Sequence, residues 1–242
     1  MWRLSLGKRA LEVIESKVEQ PMQLKKMIAA SVLSADFARL GEEIKAVEKA
    51  KADWIHFDIT DGHFVQNLTM GTLAVKAARK STSLPLDVHL MIENPERFVQ
   101  MFAEAGADYI SVHYESTLHL NRVVQLIRNC NVHPGVAIGP TVPPEQLRWI
   151  LEYIDYVLVL TVNPGFGGQK IISNSAERIQ IIAKMIEMSG RDILIQADGG
   201  VNLDTVKMLS DAGVNVFTVG SALFGSENYG VTIENMHKAM AK

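Results

Sequence analysis

The sequence predicts an α/β protein built as one closed (β/α)8 barrel, a TIM barrel. Its 242 residues fit one barrel domain more easily than two smaller domains. Eight short apolar or β-branched runs alternate with amphipathic helical segments, which is typical of parallel βαβ units. Polar residues capable of chemistry stand at the ends of several runs, where a barrel carries its active site.

The strand and helix candidates follow one another in regular order. The predicted strands are residues 28–33, 54–59, 85–91, 108–114, 133–139, 155–162, 192–198 and 215–220. Helical segments between them include residues 37–51, 94–106, 142–153, 175–188 and 203–213. Several of these segments begin after Ser, Asn or Pro or end on Gly, as helix caps require. A doubly wound open sheet is the competing architecture, but eight units of nearly equal length favour closure into a barrel.

Composition excludes some partners. The formal net charge is −3. The chain therefore lacks the surplus of basic residues that would indicate a nucleic acid or an anionic membrane as a partner. The longest apolar stretch, Tyr156 to Val162, is too short to span a bilayer. Cys130 is the sole cysteine, so no internal disulfide can form and a reducing cytoplasm is the expected location. A small anionic substrate remains compatible, since backbone N–H groups bind anions without net positive charge.

The first 26 residues stand apart from the barrel pattern. Leu11, Ile14 and Val18 have helical spacing, and Pro21 ends the pattern. Several glutamates argue against a transit peptide, and no apolar core of a secretory signal is present. Residues 1–26 are therefore expected to be an N-terminal extension outside the 27–242 barrel domain. Two interpretations stay open: an amphipathic helix packed on the barrel or at a subunit contact, or an extraneous segment with translation starting at Met22 or Met27.

Two imidazoles and two carboxylates are predicted to meet at the barrel mouth. His56 and Asp58 are two residues apart in one strand, so their side chains point to the same face. Asp87 and His89 repeat this spacing in the next strand, and Asp198 ends the seventh strand before two glycines. Burying such carboxylates together without a cation would be costly. Mixed nitrogen and oxygen ligands suit a divalent ion, with zinc expected first and Fe(II), Mn or Co as alternatives.

Glycine-rich segments follow three adjacent strands. They are residues 163–169 (NPGFGGQ), 198–200 (DGG) and 220–225 (GSALFG). Glycine lets the backbone approach a ligand closely, and Ser221 is expected to cap a short helix and offer its hydroxyl. Because barrels often bind phosphate at the loops after strands seven and eight, these segments predict a phosphate site. The predicted contacts are Gly165, Gly167, Gly168, Gly199, Gly200, Gly220 and Ser221.

These motifs resemble those of the ribulose-phosphate 3-epimerase family. The resemblance rests on SVLSADFARLGEE, WIHFDITDGHFVQNLTMG, PLDVHLMIENPERF, VNPGFGGQ, ADGGV and VGSALFG, in order from about Ile28 to Gly225. It implies a ribulose-phosphate-binding barrel that interconverts D-ribulose 5-phosphate and D-xylulose 5-phosphate with a divalent metal. The metal ligands would be His56, Asp58, His89 and Asp198, and the proton-transfer residues Asp58 and Asp198. The substrate contacts would include Ser31, His89, Met91, Phe166 and the glycine segments, and the protein would form homodimers or hexamers.

The sequence departs from the family pattern around the pocket. Methionine is usual at three pocket positions, but only Met91 keeps it, while Thr60 and Leu160 replace the other two. Ala30 and Gln66 stand where proline is usual, and Gln196-Ala197 replaces a Glu-Val pair. Neutral drift is one interpretation. A changed substrate, a hexulose 6-phosphate such as allulose 6-phosphate, is the other, since the Thr60 hydroxyl could bind a sugar hydroxyl.

For other polar residues near the rim of the barrel, the sequence gives weaker indications of a functional role. Asp61 and His63 open a long loop, residues 61–71, that is expected to fold over the substrate. His113 and Glu115 are expected to order hydrogen bonds around the ligands. Three further histidines are expected to lack a function: His119, His133 and His237.

Two other functions compete with epimerisation. Decarboxylase or aldol chemistry on a phosphate-binding barrel often uses a lysine at a strand end, but no predicted strand ends in lysine, and Lys170 lies too far along its loop. A barrel that binds a sugar phosphate without catalysis is the alternative of another class. A pure binder would not need the paired acids Asp58 and Asp198.

Overall fold

The computed structural model describes residues 25–241, in which eight parallel strands pair in chain order and close into a barrel. The predicted fold is therefore confirmed. The strands are β1 (Met27–Ser31), β2 (Trp54–Thr60), β3 (Leu86–Met91), β4 (Tyr109–His113), β5 (His133–Ile138), β6 (Tyr156–Leu160), β7 (Leu194–Asp198) and β8 (Val216–Val219). Most of the predicted extension lies outside the described residues, and the division at residue 26 stays a prediction.

Helices surround the barrel. Within the described residues, the α-helices are α1 (Leu40–Lys49), α2 (Thr72–Arg79), α3 (Val99–Ala105), α4 (Leu120–Asn129), α5 (Ser175–Ser189), α6 (Val206–Ala212), α7 (Ser221–Phe224) and α8 (Tyr229–Met240). Short 3-10 turns precede several of them. None of the described helices has the length and apolar character needed to cross a membrane.

The helix predicted over residues 142–153 consists instead of two 3-10 turns, Pro144–Trp149 and Leu151–Tyr153. The backbone N–H of Ile150 donates to the carbonyl of Leu147 at 3.0 Å, three residues back. Pro143 and Pro144 contribute no N–H groups at the start of this segment. A 3-10 turn rises about 2.0 Å per residue, against about 1.5 Å in an α-helix, so the segment spans the path to β6 with few residues.

The alternation along β2 explains where the site lies. Ile55, Phe57 and Ile59 belong to the large apolar cluster that includes residues of the surrounding helices. The intervening side chains, on the opposite face of the strand, point into the barrel. Trp54 stacks on Tyr109 with ring centroids 4.2 Å apart and helps fill the interior near the strand starts. The inward-facing polar side chains of β2, His56 and Asp58, therefore lie closer to the C-terminal ends of the strands than the aromatic side chains do.

Strand register brings the polar residues of neighbouring strands together. His56 pairs with Asp87, and Asp58 pairs with His89, in the β2–β3 ladder. Asp198 reaches the same level at the end of β7. Burial of these side chains follows from their inward direction in a closed barrel.

Candidate metal centre and active-site pocket

Four side chains converge as the sequence predicted. His56, Asp58, His89 and Asp198 each offer one ligand atom, and these four atoms lie within 4.8 Å of one another. Both histidines are fully buried, and Asp58 is nearly so. Side chains from β2, β3 and β7 thus form one compact cluster with two nitrogens and two oxygens.

The donor atoms fit a divalent cation. Oδ1 of Asp58 lies 3.2 Å from Nε2 of His56 and 3.3 Å from Nδ1 of His89. Oδ2 of Asp198 lies 3.4 Å from the same His89 nitrogen and 3.8 Å from His56 Nε2. The four atoms are close enough together to surround one ion, and an N2O2 set of this kind suits zinc or a related ion. The second oxygen of Asp58 accepts a 2.8 Å hydrogen bond from Ser31 Oγ, which fixes the carboxylate.

The two carboxylates have different environments. Burial favours the neutral form of Asp58, but the charges and hydrogen bonds of His56 and His89 outweigh it and lower the pKa of this carboxyl. Burial, and then the negative charge of Asp58, raise the pKa of Asp198. The two carboxyl pKa values are therefore shifted in opposite directions, because the histidines outweigh burial at Asp58 but not at Asp198.

Asp87 anchors His56 from within the barrel. Its Oδ2 lies 2.6 Å from His56 Nδ1, and its Oδ1 accepts a 3.0 Å hydrogen bond from the Tyr156 hydroxyl. The side-chain amide of Gln196 donates to the same Oδ2 at 2.6 Å and to Thr218 Oγ1 at 2.9 Å. From the sequence, Asp87 was distinguished only by its spacing from His89, and this role was not predicted. The available signal was its position beside His56 in the register, two residues before His89.

Gln196 has a physical reason to be neutral. A glutamate, which is usual in the family at this position, would place a second carboxylate against buried Asp87 and would need a proton to stay there. The amide instead donates to Asp87. Glutamine in place of glutamate therefore changes the hydrogen bonds of Asp87, which contacts His56, and leaves the pocket wall unchanged.

His89 is supported from the rim. Its Nε2 lies 2.9 Å from Nε2 of His113, whose Nδ1 lies 3.3 Å from Oε2 of Glu115. Burial is the main reason that the pKa of His113 falls to about 4. His113 and Glu115 therefore form a path of close polar contacts from the rim to His89, and their role around a metal stays a prediction.

A pocket of about 160 Å³ opens directly above the cluster. Asp58 and Asp198 line it, as do the predicted substrate contacts Ser31, Met91, residues 165–168, Gly199–Gly200 and Gly220–Ser221. The fully buried His89 is not part of the wall and lies in the cluster beneath. Carboxylates at one side and a glycine-rich wall at the other thus face the same space.

Two glycines are required by the geometry of this wall. Gly199 has φ of +107°, and a Cβ there would lie 2.3 Å from Val162 Cγ2. Gly200 has φ of +66°, and a Cβ would lie 2.9 Å from the backbone nitrogen of Ile171. The chain can therefore pass this point only without side chains.

Three details differ from the sequence predictions. Gly220, not Ser221, occupies the N-cap of α7, and Ser221 is its first residue because the turn begins one residue earlier. The Thr60 hydroxyl donates to Thr69 Oγ1 at 3.2 Å, and Thr60 does not line the pocket. Ser34 lines it and was missed: its Oγ would lie 2.9 Å from a Cβ at Gly220. Its position in an ordinary turn after β1 gave no signal.

The loop after β2 contacts the loop after β6. Asn67 Nδ2 donates to the carbonyl of Gly165 at 2.8 Å. Asp61 accepts hydrogen bonds from the backbone N–H groups of His63, Phe64 and Glu93, so it shapes the loop. His63 itself is exposed. Among the histidines expected to lack a function, His119 and His133 are exposed and lie outside the pocket.

Fold and site together define a class: a (β/α)8 barrel with a buried His2Asp2 cluster under a glycine-walled pocket. The model of the family described as "Ribulose-phosphate 3 epimerase family" matches residues 27–224. The chain belongs to this family, as its motifs indicated.

Curated relatives agree. The chain is 50% identical to ribulose-phosphate 3-epimerase of Bacillus subtilis, with 83% of this chain and 93% of the relative covered. It is 44% identical to the chloroplastic ribulose-5-phosphate-3-epimerase of Arabidopsis thaliana (91% and 79% covered) and 39% identical to the Escherichia coli enzyme (89% and 96% covered).

Solved structures extend the likeness in fold. KGPDC from Streptococcus mutans has a TM-score of 0.66 at 15% identity, covering 90% of this chain and 98% of that one. Thiamine phosphate pyrophosphorylase from Pyrococcus furiosus has a TM-score of 0.61 at 18% identity, covering 89% and 95%. At these identities the likeness concerns the barrel alone.

Proposed function

We propose that the chain is a metal-dependent 3-epimerase that interconverts D-ribulose 5-phosphate and D-xylulose 5-phosphate. The observation that carries the proposal is the pair Asp58 and Asp198, which come from β2 and β7 and both line the pocket. Inverting a carbon beside a ketone requires removal of its proton on one face and delivery of a proton to the other. Two carboxylates on different strands can serve the two faces, whereas one base would tend to return the proton to the face it left.

The residues divide this work. Asp58, which Ser31 holds in place, can accept a proton on one face of the sugar carbon, while Asp198 can deliver one to the other face. In the reverse direction the roles exchange. His56 and His89 would hold the metal together with the two aspartates, and when bound the metal supplies a positive charge that stabilises the enediolate oxygens.

The glycine wall would bind the phosphate. Gly199 and Gly200 line the pocket without side chains, so a phosphate can approach their backbone N–H groups closely. Together with residues 165–168, Gly220 and Ser221, they can surround a phosphate without a lysine or arginine. This division leaves the carboxylates free to act at the sugar carbon.

Zinc is the first choice for the metal, with Fe(II), Mn and Co as alternatives, because histidine–aspartate sites accept all four. Metal content of the purified protein, measured by mass spectrometry, identifies the ion. Activity restored to chelated protein by each ion in turn ranks them. Failure of every divalent ion to restore activity would contradict the proposed metal dependence.

The central test replaces each acid by its amide. Asp58→Asn and Asp198→Asn should each lower kcat at least about 10³-fold, because an amide cannot carry the proton. Solvent deuterium incorporation at C3 of ribulose 5-phosphate, measured alongside turnover, follows the proton directly. Asp36→Asn is the matched control, since Asp36 is exposed and an asparagine still caps its turn. Retained turnover in either active-site variant would refute the two-base scheme.

A hexulose 6-phosphate 3-epimerase is the second candidate. One observation favours this candidate: Leu160 lines the pocket at a position where methionine is usual in the family. Thr60 does not support a changed substrate, because its hydroxyl donates to Thr69 and does not face the pocket. The ratio of kcat/KM for ribulose 5-phosphate and allulose 6-phosphate decides between them. If deuterium entered C3 of neither sugar, the result would instead favour a barrel that binds a sugar phosphate without catalysis.

Assembly and location complete the proposal. A homodimer or hexamer in the cytoplasm is proposed from the family resemblance and from the single cysteine, Cys130. Light scattering after size-exclusion chromatography measures the assembly, and a monomer at micromolar concentration would contradict it.

A further inference from the structure

The two nitrogens of His89 face different neighbours. Nδ1 lies 3.3 Å from Asp58 Oδ1 and 3.4 Å from Asp198 Oδ2, within the proposed metal centre. Nε2 points away from the centre and lies 2.9 Å from Nε2 of His113. The ring is fully buried, so the protein itself must satisfy both nitrogens.

This geometry determines which nitrogens carry protons. A histidine binds a metal through an unprotonated nitrogen, so Nδ1 of His89 must be bare and Nε2 must carry the hydrogen. That hydrogen can only be donated to Nε2 of His113, which must then be the bare nitrogen of its own ring. The hydrogen of His113 therefore sits on Nδ1, where Oε2 of Glu115 lies 3.3 Å away as the acceptor.

Glu115 is well placed to end this chain. Its Oε1 accepts a 3.1 Å hydrogen bond from the backbone N–H of Gly139, and its Oε2 faces His113. A Cβ at Gly139 would lie 2.5 Å from Oε1, so the glycine at this position makes room for the carboxylate. The ring of Phe64 lies 4.7 Å from the ring of His113 and covers it from the loop side. With one third of its side chain exposed, Glu115 connects the buried chain to the rim.

We propose that Glu115 is a positioning residue that, through His113, holds His89 in the tautomer and orientation that binds the metal through Nδ1. The inference rests on the proposed metal binding and adds two residues that do not touch the metal. Its order is Glu115, His113, His89, and each member accepts the hydrogen of the next.

Glu115→Gln tests the last member of the chain. The amide keeps an oxygen at only one of the two positions that face Gly139 and His113, so one of these donors meets an NH2 group instead of an acceptor. We expect the dissociation constant for Zn²⁺, measured by competition with a chromophoric chelator, to rise about tenfold, the lower end of the effect of such outer partners. Long-range ¹H–¹⁵N NMR of the zinc-loaded protein should show the ring nitrogens of His113 leaving the single Nδ1–H tautomer. Glu104→Gln is the control, since Glu104 is exposed on α3 and accepts from Gln100.

A double variant tests whether Glu115 acts through His113. In His113→Gln, the side-chain oxygen can still accept from His89, but no ring remains for Glu115 to orient. Adding Glu115→Gln to this variant should then leave the zinc dissociation constant unchanged. Additive losses would overturn the proposed order, as would an unchanged affinity and tautomer in the single Glu115→Gln variant. Failure of the unsubstituted protein to bind any of Zn²⁺, Fe(II), Mn²⁺ and Co²⁺ would overturn the metal-dependent function, and this inference with it.

Discussion

The site has two halves that are built in opposite ways: the side-chain cluster beneath the pocket, called the metal half, and the glycine wall, called the glycine half. The metal half consists of buried side chains that fix one another by hydrogen bonds, with Asp87 behind His56 and His113 behind His89. The glycine half consists of backbone, and its central requirement is the absence of side chains at Gly199 and Gly200. The first half should therefore be sensitive to lost charge and hydrogen bonds, and the second to added volume. Chemistry is expected to depend on the metal half and substrate affinity on the glycine half.

The largest effect on stability is expected at Asp87. Asp87→Asn keeps the volume but removes the buried negative charge that accepts from His56, Tyr156 and Gln196. We expect the free energy of unfolding to fall by about 3–5 kcal/mol, since breaking a buried charged network leaves its donors unpaired. Zinc affinity should fall about 10–100-fold. Urea unfolding and chelator competition measure the two effects.

A surface aspartate provides the matched control for this prediction. Asp155 also accepts from a histidine and an arginine, His133 and Arg128, but at a partly exposed site. Asp155→Asn should cost no more than about 1 kcal/mol, as exposed ion pairs generally do. Equal losses in the two variants would show that burial of the metal half does not matter to its strength.

The sequence was sufficient to predict the barrel and the four-residue cluster, because both follow from local rules. Alternation along β2 places His56 and Asp58 on one face, and glycines after Asp198 mark a strand end. The contacts of Asp87 with Tyr156 and Gln196, and that of Ser34 with the residue after β8, exist only in the closed barrel. Ser34 meets Gly220 from the far end of the chain, and no local pattern specifies that approach. The hydrogen bond of Thr60 to Thr69 likewise depends on the path of the loop after β2.

The pH dependence of the free energy of unfolding tests the environment of His113, which lies beside His89 in the metal half. Burial lowers the pKa of His113 to about 4, below its value near 6.5 in the unfolded chain. As pH falls below about 6.5 the unfolded state gains a proton that the folded state does not, so stability decreases with falling pH. The contribution should amount to about 2 kcal/mol between pH 7.5 and pH 5.

His113→Gln isolates this contribution, because glutamine does not titrate. Urea unfolding of both proteins at pH 5, 6 and 7.5, with a chelator present, removes any contribution of bound metal. The stability difference between them should shift by about 2 kcal/mol over this range, with the unsubstituted protein gaining as pH rises. A difference that stays constant across the range would mean that His113 is protonated in the folded protein at pH 5, contrary to its burial beside His89.

The smallest effect is expected in the glycine half, and it should appear in substrate affinity. Gly200→Ala forces a left-handed alanine, at about 1–2 kcal/mol, and places its Cβ 2.9 Å from the backbone nitrogen of Ile171. The loop after β6 must then move away from the pocket, so KM for the sugar phosphate should rise about tenfold while kcat changes less.

Gly190→Ala separates strain from crowding. Gly190 ends α5 with φ of +65°, and nothing lies within 4 Å of a Cβ there, so this variant has the strain alone and should keep the original KM. Zinc affinity should be the same in both variants, because neither change reaches the hydrogen bonds behind His56 and His89. If Gly200→Ala lowered zinc affinity as Asp87→Asn is expected to, the two halves would be one mechanical unit. If it raised KM alone, backbone shape in the glycine half would determine affinity independently of the metal half.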